Sequence, residues 1–372
     1  MDGPCFTASL CQDRGRWLNA TDKGAAHMQV TTIGLDIAKR VFQAHGVDGV
    51  GKAVLRRKLQ RAEVLTFFQS LSPCVVGIEA CGTAHHWARE IRALGHTVRL
   101  MPASYVKAYV KRGKTDAADA EAICEAVTRP TMRFVPVKTP EQQAVLMLHR
   151  TRDLLVRQRT MLVNALRGHM AELGIIAPQG ISRVADLVAV LLGKDETTMP
   201  ALARQALRGL AEELEALGER IKAIEAAILA WHKENEASRR LASIPGVGPI
   251  TASAIVASII DPTQFRSGRH LAAWIGLVPR QNSSGGKERQ GGISKQGDRT
   301  LRRLLVLGAT AVIRHARTRS DAEAGWLKRL LERRPAKLAA VAQANKTARI
   351  VWALLVRGGT YRAPAAAQAA TA

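Results

Sequence analysis

Apolar and polar positions change their period three times along the chain. Between residues 30 and 136, short apolar runs alternate with longer amphipathic ones. Val30–Ala44 reads as a strand with an irregular tail, and Lys52–Lys58 as its hairpin partner. Cys74–Ile78 and Thr97–Met101 are short apolar runs of strand length. Ala62–Leu71 and Thr83–Leu94 carry helical patterns, the second ending at Gly95, a residue suited to the left-handed C-cap. A further helix is expected after Met101, to about Lys111. Strands first, then alternating helices and strands, predict an α/β domain.

The pattern then lengthens. Glu141–Leu173 is one long helical run rich in Arg and Leu. After it, Leu207, Leu210, Leu214, Leu217, Ile221, Ile224, Ile228 and Trp231 recur in strict steps of three and four. That period predicts a coiled-coil seam, whereas a core-facing helix of a bundle drifts toward 3.6 and shows a broader stripe. The partner helix, in the same chain or another, is not specified by the pattern. Beyond residue 241, helical segments flank a Gly-rich stretch from Gly285 to Gly297, and helices are expected near 299–318, 321–333 and 336–356. The expected organisation is an extension over 1–27 without periodicity and expected to be disordered, an α/β domain over 28–139, a helical coiled-coil linker over 140–240, a mostly α C-terminal domain over 241–360, and an Ala-rich tail over 361–372 also expected to be disordered.

Charge sharpens this picture. The 372 residues hold 55 Lys and Arg against 31 Asp and Glu, a formal net charge of +24. Such a balance suits a polyanionic partner, DNA or RNA, more than any other class. The five cysteines, Cys5, Cys11, Cys74, Cys81 and Cys124, lack paired metal-site spacing and suggest a reducing compartment, so a cytoplasmic, nucleoid-associated protein is expected. No run has the length of a membrane span, and residues 1–27 lack the apolar core of a secretory signal.

Against this basic background, four acids stand out. Asp36 ends the run Ile33-Gly34-Leu35, and Glu79 ends Val75-Val76-Gly77-Ile78. Asp116 and Asp119 follow Thr115, a good N-cap, and lie one turn apart on one helix face. Each has an ordinary explanation: strand-end turn residues, and acids that suit a helix dipole. Together, at strand ends and a helix start, they form a candidate site for Mg²⁺ or Mn²⁺, hard cations that take oxygen ligands and leave positions for phosphate. A strand ending Gly-Leu-Asp also opens actin-like ATPases, but those need a small phosphate-cradling residue two positions on, and here Ala38 is followed by Lys39 and Arg40.

Two C-terminal motifs carry further chemistry. Leu241-Ala242-Ser243-Ile244-Pro245-Gly246-Val247-Gly248-Pro249-Ile250-Thr251-Ala252 reads as a helix-hairpin-helix. Gly246 and Gly248 allow the tight turn, and amides at the second helix start can hold a DNA phosphate without reading sequence. The second stretch, Asn282-Ser283-Ser284-Gly285-Gly286-Lys287, has basic surroundings continued by Lys295, Arg302 and Arg303. It could bring a hydroxyl to a phosphodiester, but on chemistry alone it reads as an ordinary flexible Gly/Ser loop.

These motifs together resemble the DEDD transposases of the IS-one-hundred-and-ten family, bacterial insertion-sequence recombinases, over about Met28 to Gly359. Ile33–Lys39 is similar to the family's first acidic motif, Ile78–Thr83 to its second, and Lys114–Ala120 to its third and fourth. The helix-hairpin-helix and Arg269–Pro279 are similar to its C-terminal domain. The resemblance implies a RuvC-like, ribonuclease-H-fold N-terminal domain with Asp36, Glu79, Asp116 and Asp119 as Mg²⁺ ligands and catalytic acids. It also implies a serine nucleophile at Ser284, with Ser283 the alternative, and an active site shared between subunits of a homo-oligomer. A structured non-coding RNA is the implied guide. Lys114, Lys295, Arg302, Arg303, Gly246 and Gly248 are the candidate nucleic-acid contacts. Two other functions fit the same residues. A resolvase-like, metal-dependent nuclease would use water and no serine, and a nucleic-acid-binding protein would perform no strand chemistry.

Overall fold

The structure is a computed structural model describing residues 29–176, 199–316 and 321–362, except 112 and 114, with a few isolated positions between 177 and 198. The expected extension over 1–27, most of the Ala-rich tail and Lys114 lie outside the described residues. The chain divides into two compact units, Met1–Val137 and Lys138–Ala372.

The first unit is built on a five-stranded mixed sheet of order β3-β2-β1-β4-β5. Its strands are β1 (Thr32–Asp36), β2 (Val41–Val47), β3 (Ala53–Gln60), β4 (Val75–Glu79) and β5 (Thr97–Met101). β1, β2 and β3 form an antiparallel meander, and β4 and β5 continue parallel to β1. The single strand expected over Val30–Ala44 is instead two strands, with residues 37–40 turning between them. Buried Phe42 and Ala44 restart the alternation on the return strand, so one apolar run conceals a hairpin. The helices are α1 (Val64–Gln69), α2 (Ala84–Ala93), the single turn α3 (Ala103–Val106) and α4 (Asp116–Val127). The helix expected up to Lys111 is this one turn plus a 3₁₀ turn over Lys107–Tyr109, after which Val110 is extended.

The two sheet faces differ in what covers them. Ile33, Leu35, Val76 and Ile78 point into a core with Phe42, Phe68, Trp87 and Ile91. On the opposite face, Gly34 and Gly77 are cross-strand partners, and α4 lies directly on them. A Cβ on Gly34 would sit 2.2 Å from the Ala120 carbonyl oxygen, and one on Gly77 2.8 Å from Val127 Cβ. The backbone itself is thus the contact surface, and α4 approaches the sheet more closely than any side chain would permit.

The second unit is helical. Its elements are α5 (Pro140–Glu172), α6 (Ala201–Glu234), α7 (Glu236–Ala242), α8 (Pro249–Ser258), α9 (Gly268–Ile275), a hairpin β6 (Pro279–Gln281) and β7 (Gln290–Ile293), then α10 (Arg299–Arg314), α11 (Asp321–Arg333) and α12 (Ala336–Arg357). α5 opens with a capping box from Thr139 and Gln142, with Pro140 in the first turn. α5 and α6 run antiparallel: Val163, Leu166 and Met170 pack on Leu207, Ala211 and Leu214, and Arg152 pairs with Glu225 at 2.6 Å. Five of the eight expected seam positions, Leu207, Leu214, Leu217, Ile221 and Ile228, are buried, while Leu210, Ile224 and Trp231 are half-buried. The partner helix therefore lies within the same chain. Between α7 and α8, Gly246 takes φ +83°, and a Cβ on Gly308 of α10 would fall 1.9 Å from its carbonyl oxygen. The turn and α10 touch backbone to backbone, which accounts for a glycine in the middle of α10.

Candidate functional site: an acidic cluster and a serine hairpin

Strand alternation sets Asp36 on the face of Gly34, and Glu79 on the face of Gly77, the face α4 covers. The registered pairs of β1 and β4 end at Leu35 with Ile78, so Asp36 and Glu79 stand at the next step on adjacent strands. α4 begins above them. The Thr115 hydroxyl accepts from the Ala118 amide at 3.2 Å, fixing the helix start and directing Asp116 and Asp119 from the first turn. Ligand oxygens of Asp36, Asp116 and Asp119 lie within 4.8 Å of one another. Glu79 falls outside that tight set but is close enough to act on Asp36. Burial and the charges of Asp119, Asp116 and Glu79 push the Asp36 carboxyl up from 3.8 to about 6. Acids held this close, half out of water, fit a divalent cation that cancels their repulsion.

The Ser283-Ser284 stretch is the end of the β6–β7 hairpin rather than a shapeless loop. Gly285 and Gly286 take φ +55° and +76°, two consecutive left-handed residues as a tight hairpin turn requires, and the Lys287 amide donates to the Ser284 carbonyl at 3.1 Å. The two serines differ. The Ser283 hydroxyl accepts from the Arg289 amide and the Gln281 side chain, each at 3.3 Å. Ser284 lines an open polar hollow of about 440 Å³ with Asn282, Lys287 and Arg289. Lys287 and Arg289 are a cationic surround for that hydroxyl that the sequence reading did not single out; their place across a two-glycine turn is the signal that would have found them.

The expected nucleic-acid contacts occupy varied settings. Gly248 is the exposed N-cap of α8, with Pro249 opening the helix. Lys295 is exposed at φ +57°, beside Gly297, whose added Cβ would meet the Trp274 carbonyl oxygen at 1.8 Å. Arg302 donates to the carbonyls of Ile275 and Gln296, both at 2.8 Å, and so pins this loop to the end of α9. Arg303 pairs with Asp153 of α5. Among the described residues, no helix is long and apolar enough to cross a membrane.

Known proteins add to this geometry. Residues 33–175 match the IS110-type DEDD family, described as "Transposase", and residues 238–323 match the "Transposase IS116/IS110/IS902 family". A "Probable family 20 transposase" of Pseudomonas aeruginosa is 52% identical over 336 residues, 90% of this chain and 99% of that one. The transposase for insertion sequence element IS1111A of Coxiella burnetii is 44% identical, covering 90% and 92%. That for IS1328 of Yersinia enterocolitica is 39% identical, covering 89% and 98%. With a carboxylate cluster at the strand ends of a mixed sheet, these likenesses define a transposase, an enzyme that cuts and joins DNA. The chain belongs to the IS116/IS110/IS902 family of insertion-sequence transposases.

Proposed function

We propose that this transposase cuts DNA with the hydroxyl of Ser284 while Asp36, Glu79, Asp116 and Asp119 hold Mg²⁺ or Mn²⁺ beside the scissile phosphate. The observation that carries the reading is the meeting of Asp36, Asp116 and Asp119 within 4.8 Å, from a strand end and a helix start far apart in sequence. A bound divalent ion would supply charge neutralisation at the phosphate. The chain's own groups do the rest. The Ser284 oxygen attacks phosphorus and gives up its hydroxyl proton to solvent, a serine–phosphate ester forms as a P–O bond of the DNA backbone breaks, and the leaving oxygen takes up a proton from solvent. Lys287 and Arg289 favour the serine alkoxide and the negative charge that develops on the phosphoryl oxygens. Ser283 is engaged within the hairpin, which supports Ser284 over its neighbour.

The finer features follow from the same reading. The first unit acts as a RuvC-like, ribonuclease-H-type domain; its strand order and the carboxylates on α4 support this. The α5–α6 pair serves as a coiled-coil arm in a homo-oligomer, in which serine and acids of different subunits complete one site. The α7–α8 turn holds phosphate as a helix-hairpin-helix through the amides after Gly248, and Lys295 adds a phosphate contact. A structured RNA encoded by the element selects donor and target DNA, and the protein works in the cytoplasm at the nucleoid. The decisive experiment is a denaturing gel for protein–DNA adducts, using protein with its co-purified RNA, element-end DNA and Mg²⁺. The expected result is an adduct that disappears in both Ser284→Ala and Asp36→Ala. Cleavage without adduct that survives Ser284→Ala would instead establish a nuclease using water.

A further inference from the structure

One cavity among the described residues lies within the second unit. It is a groove of about 1360 Å³ bounded by α9, α11, α12 and the β6–β7 hairpin. Its floor is apolar, formed by Leu277, Ile293, Val341 and Ile350. Every charged side chain that lines it, among the described residues, is a cation: Arg269, Lys337, Lys346, Arg349 and Arg357. Among the described residues, no carboxylate lines it. A groove of this kind rejects a cationic or neutral apolar helix less by shape than by charge, since five cations would remain uncompensated.

Two indoles line the groove. Trp326 is 40% exposed, and Lys346 lies over its ring at 4.7 Å from the centroid. Trp352 is oriented by its Nε1–H, which donates to the Phe265 carbonyl at 3.0 Å. Flat aromatic surfaces beside a row of cations are the two parts of a single-strand site, where bases stack and phosphates meet Lys and Arg. Duplex DNA hides its base faces and gains nothing from the indoles.

We propose that this groove holds a single-stranded segment of the DNA undergoing cleavage. Its location chooses DNA over RNA. Pro279 and Gly291–Ile293, which form one wall, are the base of the hairpin whose tip carries Ser284. A strand seated in the groove continues along β6 and β7 toward that hydroxyl. The assignment rests on the reading of Ser284 as nucleophile only for this choice of strand; the groove's chemistry stands apart from it.

The test is fluorescence anisotropy on the full chain with a labelled twelve-nucleotide oligo-dT, the same length of duplex, and oligo-U. Wild type is expected to bind the single DNA strand at least about tenfold more tightly than the duplex at equal salt, as base stacking on aromatics provides. Trp326→Ala should weaken single-strand binding about tenfold, and Trp326→Phe should restore most of it, which a folding defect would not allow. Lys346→Ala should lower the slope of log K against log salt by about 0.7. Wild-type protein that binds the strand in the groove yet forms no serine adduct would overturn the nucleophile and leave the groove. Unchanged binding in Trp326→Ala and Lys346→Ala, tighter binding of oligo-U than oligo-dT, or equal binding of duplex would each overturn the proposal.

Discussion

The acidic cluster and the serine hairpin are both catalytic candidates, yet they are built in opposite ways. The acids are welded to a core. They sit at the ends of two central strands and at the start of a helix pressed onto Gly34 and Gly77 with no side chain between. Their positions therefore depend on the packing of the whole first unit. The serine stands on a two-stranded hairpin whose tip residues are all exposed, held by a few hydrogen bonds across the turn. Carboxylates that must share a cation need sub-ångström placement, which rigid elements give. On the proposed reading, a nucleophile that must reach DNA needs access, which an exposed hairpin gives. Precision and reach are thus divided between two parts of one chain.

The largest expected effect is at the hairpin. Ser284→Ala should reduce adduct formation on the order of 10⁴-fold or more, as loss of a nucleophile does, while Ser283→Ala should cost far less; single-turnover gels distinguish the two. An equal loss in both would erase the difference drawn between the serines. Next is the packing under the acids. Gly34→Ala forces its Cβ against the backbone of Ala120 and Cys124. It should cost about 1–3 kcal/mol in urea unfolding and also weaken metal binding. The same change at Gly286, where nothing lies within 4 Å, meets only its left-handed φ and should leave metal binding unchanged.

Metal should act on the first unit alone. Mg²⁺ at a hundred times its dissociation constant stabilises the protein that binds it by about 2.7 kcal/mol. Thermal melts should show that gain in wild type and not in Asp36→Asn, whose metal-free melting temperature should exceed that of wild type because a half-buried repelling charge is gone. The two units also oppose each other in pH. Asp36 has a folded pKa near 6, above its ordinary 3.8, so the metal-free fold gains stability as pH falls from about 6 toward 3.8. In the second unit, burial lowers His149 of α5 from 6.5 to about 4, where its Nε2 lies 3.1 Å from the Ser253 hydroxyl of α8. Its contribution is complete above pH 6.5 and is lost as pH falls toward 4. Urea titrations between pH 7 and 4 should show a smaller acid loss in His149→Gln and a larger one in Asp36→Asn.

The acids were legible because their chemistry is written locally: an apolar run that ends in a carboxylate, and Thr before two acids one turn apart. The glycines beneath them were equally legible in hindsight, since Gly34-Leu35-Asp36 and Gly77-Ile78-Glu79 repeat one spacing. The β1–β2 hairpin was not, because apolar residues run through the reversal and Ala38, Lys39 and Arg40 lack strong turn chemistry. The seam of α6 was visible, but the helix it meets is a property of the folded chain. The groove could not be read at all. Its cations come from α9 and α12 and one of its indoles from α11, and only packing makes them neighbours.

The paired glycines of β1 and β4 bear on how copies of such an element decay. A copy can be judged intact by its four acids alone. A single base change that places alanine or valine at position 34 or 77 leaves every acid in place yet lifts the helix that aims two of them. If the acids act as proposed, such a copy would pass inspection by motif and still be silent, so a census of live elements has to count two residues that perform no chemistry.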